Sequence, residues 1–308
     1  MRMRVIGALM EGLCRLLTLV VCAVLATILG MIVVGGIGVI SLEFLTGTPT
    51  EGMTQGGIFP AIFGTVCIAV LMVVMALPLG VAAAIFLVEY AGKGFGPRII
   101  RAAVNNLAGV PSIVFGLFGL GFFILFVGRN LDRVLQTGLL FGQPAMLWAA
   151  ATLAILVLPV VIVSTEEALR AVPLSHREAA FALGATPWQV VRRTVLPQAY
   201  PGILTGAILS VSRGAGETAP ILFTGCAYFL PHLPVTEFLG IPMINPLDQF
   251  MELSYHIFIM ATQSTNAQLT RPIQYGTTLV LVILTFALNL TAIVTRNRFR
   301  RRRGEAHT

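Results

Sequence analysis

The hydrophobic run from Tyr200 to Cys226 carries two charges, Arg213 and, four residues later, Glu217, in Arg213-Gly214-Ala215-Gly216-Glu217-Thr218-Ala219-Pro220. Twelve residues from Pro201 at ~1.5 Å each carry Arg213 roughly 18 Å along a helix, near the middle of a hydrocarbon layer ~30 Å thick. A cation at that depth costs on the order of 2.5 to 3.5 kcal/mol even on lenient insertion scales, so it is seldom there without a task. On a continuing helix Glu217 falls one turn further along the same face, within reach to pair. Gly214 and Gly216 remove side chains beside the pair, so that an anion or a neighbouring helix can approach the backbone, and Thr218 adds a hydroxyl. One chemistry for this set is a cation site for an oxyanion in a polar path, with Glu217 keeping the arginine from trapping its cargo. A guanidinium fork suits tetrahedral phosphate, and sulfate almost as well. The other reading is a pair that neutralises itself and holds helices together.

Other chemistry is not written in the chain. No Gly-x-x-x-x-Gly-Lys-Ser/Thr loop occurs, and Gly92-Lys93-Gly94 lacks both its spacing and its hydroxyl. His176, His232, His256 and His307 are scattered without zinc-ligand spacing, and there is no Gly-x-Ser-x-Gly elbow. Cys14, Cys22, Cys67 and Cys226 form no Cys-x-x-Cys pair and read as small hydrophobes. The expectation is a chain with no catalytic residue, no metal site and no bound cofactor.

The elements that must position Arg213 follow from composition. Of 308 residues, 56% are hydrophobic and 11% charged, and a mean hydropathy of +0.90 is too apolar for a soluble core of ordinary proportions. The uncharged runs predict an all-α polytopic membrane protein, one transmembrane domain over 1–308 with six spans near 16–42, 58–88, 104–127, 145–163, 201–226 and 273–295. Pro78-Leu79-Gly80 predicts a kink in the second span, and Gly109-Val110-Pro111-Ser112 a kink or helix entry in the third. Phe250, Leu253, Ile257 and Met260 share one helical face and predict a short helix at the membrane surface. Of the 20 cations, sixteen fall on one side of these spans, three (Arg129, Arg133, Arg271) on the other, and Arg213 between. The cation-rich side reads as cytoplasmic, with both termini and the loop 164–200 inside. The net charge of +7 therefore reports orientation rather than nucleic-acid binding.

That loop carries its own signals. Ser175-His176-Arg177-Glu178 has capping-box spacing, Gly184 tolerates a left-handed turn, and Thr186-Pro187-Trp188-Gln189 restarts a helix with a second capping box. Two short helices joined at Gly184 are expected. They look superficially like a DNA-reading helix-turn-helix, but spans within a few residues of both ends and only Arg177, Arg192 and Arg193 for phosphates place such a module poorly for a duplex.

Glu178-Ala179-Ala180-x-x-x-Gly184, nine residues, then Thr194-x-Leu196-Pro197 resembles the EAA loop of ABC-importer permeases. Thr194 stands where the family pattern has an apolar residue. The run from Glu167-Ala168-Leu169-Arg170-Ala171-Val172-Pro173 through Gly216-Glu217-Thr218-Ala219-Pro220 resembles, more narrowly, phosphate-importer permeases of the PstA type. The resemblance implies a subunit of a bacterial inner-membrane importer for inorganic phosphate, paired with a second permease subunit (PstC-like). It also implies PstB-like ATPase subunits inside, docked on a coupling helix, and a PstS-like phosphate-binding protein outside. Glu178, Ala179, Ala180, Gly184, Leu196 and Pro197 would serve ATPase coupling, and ATP hydrolysis would belong to the separate subunit. A permease for sulfate or molybdate, and a channel or membrane signalling protein using the loop to bind a regulator, are the alternatives.

Overall fold

The computed structural model describes residues 2–304 apart from Lys93, Leu239, Gly240 and Thr265, so Lys93, one of the cations counted for orientation, lies outside the described residues. The chain is helical nearly throughout. Its helices are α1 (Arg2–Gly36), α2 (Leu42–Thr46), α3 (Phe59–Ile85), α4 (Phe95–Leu107), α5 (Ser112–Phe118), α6 (Arg129–Leu135) and α7 (Met146–Arg170). They continue as α8 (Leu174–Ala182), α9 (Pro187–Val190), α10 (Leu196–Gly214), α11 (Ala219–Leu222), α12 (Leu253–Thr262) and α13 (Ala267–Gly304). Wider π-helical turns extend α3 over Phe86–Tyr90, join α5 to α6 over Gly119–Gly128, and lead into α10 over Val191–Val195. Two small antiparallel hairpins, Pro49–Thr50 with Gln55–Gly56 and Val235–Phe238 with Ile241–Ile244, lie in connectors.

Five segments among the described residues are long and apolar enough to cross a membrane: Leu9–Gly36, Phe59–Tyr90, Ser112–Leu135, Met146–Arg170 and Ala267–Arg298. The second runs through Pro78 as one helix, with Gly80 against Val161 of α7. The third departs from the expected 104–127. Pro111, at φ −58° and ψ 138°, ends the preceding turn and starts α5 at Ser112, so Asn105 and Asn106 belong to the separate amphipathic α4. The fourth extends past 163 to Arg170 and carries Glu166 and Glu167 into the helix.

The fifth is the main correction. The run 201–226 is not one helix: α10 ends at Gly214, the chain turns through Ala215 to Thr218, and only the single turn of α11 follows. Gly214 and Gly216 favour the helix least among ordinary residues, and Pro220 cannot donate the bond that would continue it. Polar residues such as Gln198, Thr205, Ser210 and Ser212 leave the 19-residue α10 less apolar than the five spans.

The expected short helix forms as α12. α12 packs against α13 and α3, burying Leu253, His256, Ile259 and Met260, while Ile257 is only half-buried and Phe258 is exposed. Phe250, Leu253 and Met260 of the expected apolar stripe lie on the packed side, joined there by His256 and Ile259. Glu252 caps the helix, accepting from the Tyr255 amide at 2.9 Å and from the Ser254 hydroxyl. Burial there pushes the Glu252 carboxyl up to about 7.

α7 is the most enclosed span and α1, packed along α13, the least. α3 and α10 lie against α7, with Met72, Phe115, Leu153, Val157, Val161, Ile221 and Phe250 in the central cluster. A second cluster, including Leu87, Leu169, Val190, Val195, Ala199 and Ile203, binds the loop to the feet of α3, α7 and α10.

Candidate functional site

Arg213 is the penultimate residue of α10, and its Nε lies 3.8 Å from Glu217 Oε1. Glu217 reaches it from the turn beyond the helix, where the Glu217 amide donates to Gly214 O at 3.3 Å, rather than from the next turn of a continuing helix. At that separation the groups form an ion pair without a hydrogen bond, so the guanidinium keeps N–H donors for another acceptor. The side chains are 35% and 21% exposed, open enough for an ion to reach them.

The depth of the break can be read from its neighbours. A Cβ on Gly214 would collide with Met72 of α3 and come 3.8 Å from Val157 of α7. Met72 is thirteen residues from the start of α3 and Val157 eleven from the start of α7, about 20 and 17 Å at ~1.5 Å per residue. Both positions are near the middle of their spans. Non-helical backbone at such a level is tolerated only where protein covers it or water lines it. Gly214 thus serves close helix packing, whereas a Cβ on Gly216 would meet nothing within 4 Å, leaving that side of the turn open. Thr218 precedes α11 and makes no side-chain cap bond there.

In the loop, Gly184 has φ +80° between α8 and α9, a conformation in which a β-branched residue is strained. The Thr186 capping box is formed: the Gln189 amide donates to Thr186 Oγ1 at 3.4 Å and the Thr186 amide to Gln189 Oε1 at 2.8 Å. The Ser175 box is not. Pro173, fixed at φ −55°, starts α8 at Leu174, which places Ser175 inside the helix. Glu178 and Ala179 are exposed on α8 and Ala180 is half-buried. Leu183, 89% exposed, projects with Leu174, Phe181 and Trp188 as an apolar crest. Leu196 and Pro197 sit half-buried at the foot of α10, with Leu196 packed against the buried cluster beneath the loop, so they stand apart from the crest.

Residues that sequence reasoning missed fasten this loop to the spans. Arg177 donates to Val172 O at 2.6 Å and Leu169 O at 2.7 Å at the end of α7, and to Glu89 Oε1 at 3.0 Å at the end of α3. Arg101 of α4 donates to Leu87 O at 2.6 Å and to Glu166 at 3.2 Å, and Arg170 pairs with the same carboxylate at 3.1 Å. Arg101, Asn105, Glu166 and Arg170 line a cavity of about 260 Å³ between α4 and α7. Only the four-residue spacing of Glu166 and Arg170 is a sequence signal for any of this; nothing in the sequence pointed Arg101 or Arg177 to these partners.

A family profile described as "Binding-protein-dependent transport system inner membrane component" matches residues 76–305. Similar curated proteins include the "Probable ABC transporter permease protein YqgI" of Bacillus subtilis, 31% identical over 95% of this chain and 95% of that one. The "Phosphate transport system permease protein PstA 1" of Mycobacterium tuberculosis is 39% identical over 80% of this chain and 73% of that one. The PstA protein of Mycobacterium leprae is 44% identical over 54% of this chain and 50% of that one. Among solved structures, the inward-facing MetNI methionine ABC transporter superposes with a TM-score of 0.58 at 18% identity, over 78% of this chain and 94% of that one. A bacterial ABC transporter involved in alginate import gives 0.57 at 15%, over 81% and 80%. At such identities the likeness is one of fold.

Proposed function

This chain belongs to the family of binding-protein-dependent transport system inner membrane components and is an ABC transporter permease subunit, and from that premise we propose that its cargo is inorganic phosphate. The observation that carries the reading is an arginine held loosely at a mid-level helix break, in a chain whose relatives include phosphate transport permeases. Interrupted helices near the midplane are where transporters commonly build their substrate sites, and a planar guanidinium matches tetrahedral oxygens. Arg213 would receive the anion, Glu217 would compete with it and speed release, and Gly216 and Thr218 would line the approach.

In this proposal a second permease chain completes the path and a soluble binding protein delivers phosphate from outside. Separate ATPase subunits seat on the crest of α8 and α9, around Glu178, Ala179, Ala180 and Gly184, while Leu196 and Pro197 anchor the loop beneath. ATP-driven closure then rocks the spans between outward-open and inward-open states. The chain itself binds no nucleotide or cofactor, and both its termini lie in the cytoplasm. The test is uptake of labelled phosphate by proteoliposomes holding the assembled importer, with ATP inside and the loaded binding protein outside. Uptake that requires ATP and is displaced by unlabelled phosphate, but not by equal sulfate or molybdate, is the expected result. Preference for another oxyanion refutes the cargo, and conduction without ATP refutes the importer.

A further inference from the structure

We propose that the Arg177–Glu89 pair is the strut that carries movement of the loop into α3, and through α3 into the break beside Arg213. The inference rests on the reading of this chain as the permease of an ATP-driven importer. Arg177 stands one position before Glu178, on the helix that lifts part of the apolar crest, so a displacement of α8 displaces its side chain. The guanidinium is gripped from two directions, by the carbonyls of Leu169 in α7 and Val172 just beyond it, and by Glu89. Both side chains are nearly enclosed, 14% and 13% exposed, so the pair is screened far less than a surface ion pair and its geometry is held.

Glu89 is placed to pass that movement on. It lies on the widened last turn of α3, Phe86–Tyr90, where the Ala91 amide bonds back five residues to Phe86 O at 2.7 Å. Such turns recur at functional sites. Arg101 holds the carbonyl of Leu87 in the same turn and ties it through Glu166 to α7, so the foot of α3 is fastened on two sides. From Glu89 to Met72 is seventeen residues, about 26 Å of helix, and Met72 packs on Gly214, the neighbour of Arg213. Pro78 lies between, and the movement expected is a change of tilt about that position. Arg177 and Glu89 are positioning residues here: neither touches cargo, and their effect is on coupling.

Coupling through such a chain of contacts is established only by measuring it, and the assembled importer in proteoliposomes provides the measurement. Glu89→Gln removes the ion pair and leaves the carbonyl bonds of Arg177 in place. Membrane level and ATPase pull-down are expected at wild-type values, while cargo moved per ATP hydrolysed falls about fivefold or more, the lower end of typical allosteric coupling. Glu89→Asp, which keeps the charge, is expected to recover most of that ratio. A Glu89→Gln importer with wild-type cargo per ATP would overturn the proposal, and so would an Asp variant no better than Gln. Loss of Glu89→Gln from the membrane or from the ATPase pull-down would overturn it too, by placing the residue in folding. The ratio is taken against wild type with whichever oxyanion the importer carries, so failure of the phosphate reading changes the cargo used and leaves the test of Glu89 intact.

Discussion

Arg213 and Glu217 stand 3.8 Å apart across the end of a helix, and that looseness decides which experiment separates their two readings. If they only neutralise each other, deleting both charges relieves their desolvation and costs little, because breaking an ion pair from one side hurts more than removing it whole. If Arg213 meets the anion, Arg213→Gln with Glu217→Gln assembles with its partners and fails to transport. Hydrogen bonds to a charged group are worth about 1.5 to 3 kcal/mol, and at 1.4 kcal/mol per decade the loss is at least about tenfold in phosphate affinity. Uptake by the double variant, normalised to assembled complex, is the measurement, and near-normal uptake removes Arg213 from the path. Glu217→Gln alone is expected to be milder and to slow release. The position of this pair was legible in the sequence because an intramembrane cation is conspicuous. Its geometry was not, because the four-residue spacing presumed a helix that ends at Gly214.

The loop and the broken helix show how far local chemistry reaches at the scale of an element. Gly184 adopts φ +80° and Thr186 forms its reciprocal cap, both features that depend on residues a few positions apart and could be read directly. Ser175 had the same spacing yet lies inside α8, because Pro173 sets the start of that helix. Gly184→Val should disfavour the turn by about 1 kcal/mol or more. It should misalign α8 against α9, lowering both ATPase recruitment in pull-down and phosphate uptake while membrane insertion persists. Unchanged pull-down and uptake would make the loop a passive connector. The packing of α10 on α7 depends on small residues as well: a Cβ on Gly206 would strike Ser164, and one on Gly202 would strike Ala168. That close approach holds together the two helices from which the loop hangs.

For the whole molecule, orientation is the mechanical question, since the proposal needs the crest of α8 and α9 on the side of the ATPase. The cation asymmetry is the basis for expecting that side in the cytoplasm, and single cysteines in a background lacking Cys14, Cys22, Cys67 and Cys226 test it. An impermeant thiol reagent applied to intact cells is expected to label cysteines at Thr50 and Ser264 and to leave one at Ala185 unlabelled until the membrane is opened. Labelling at Ala185 from outside would reverse the orientation and take the coupling role with it. Thr50 lies in the short hairpin after α2 and Ser264 between α12 and α13, connectors at one end of the spans, whereas Ala185 lies at the foot of α3, α7 and α10.

The sequence by itself determined that this protein is a helical membrane chain, where most of its spans run, and that its loop turns at Gly184. Those features arise from long apolar runs and from residues that act on their own backbone, so they need no distant partner. Membership of the permease family was legible for a related reason, as it is written in one contiguous loop. What only the tertiary structure decided is what happens where charged groups meet across the chain. Arg177 finds Glu89 eighty-eight residues away and Arg101 finds Glu166 across sixty-five, separations that carry no periodic or spacing signal. The break in the fifth span belongs in part to this class: Gly214, Gly216 and Pro220 weaken the helix locally, but that Gly214 packs against Met72 of α3 and beside Val157 of α7 is seen only in the fold.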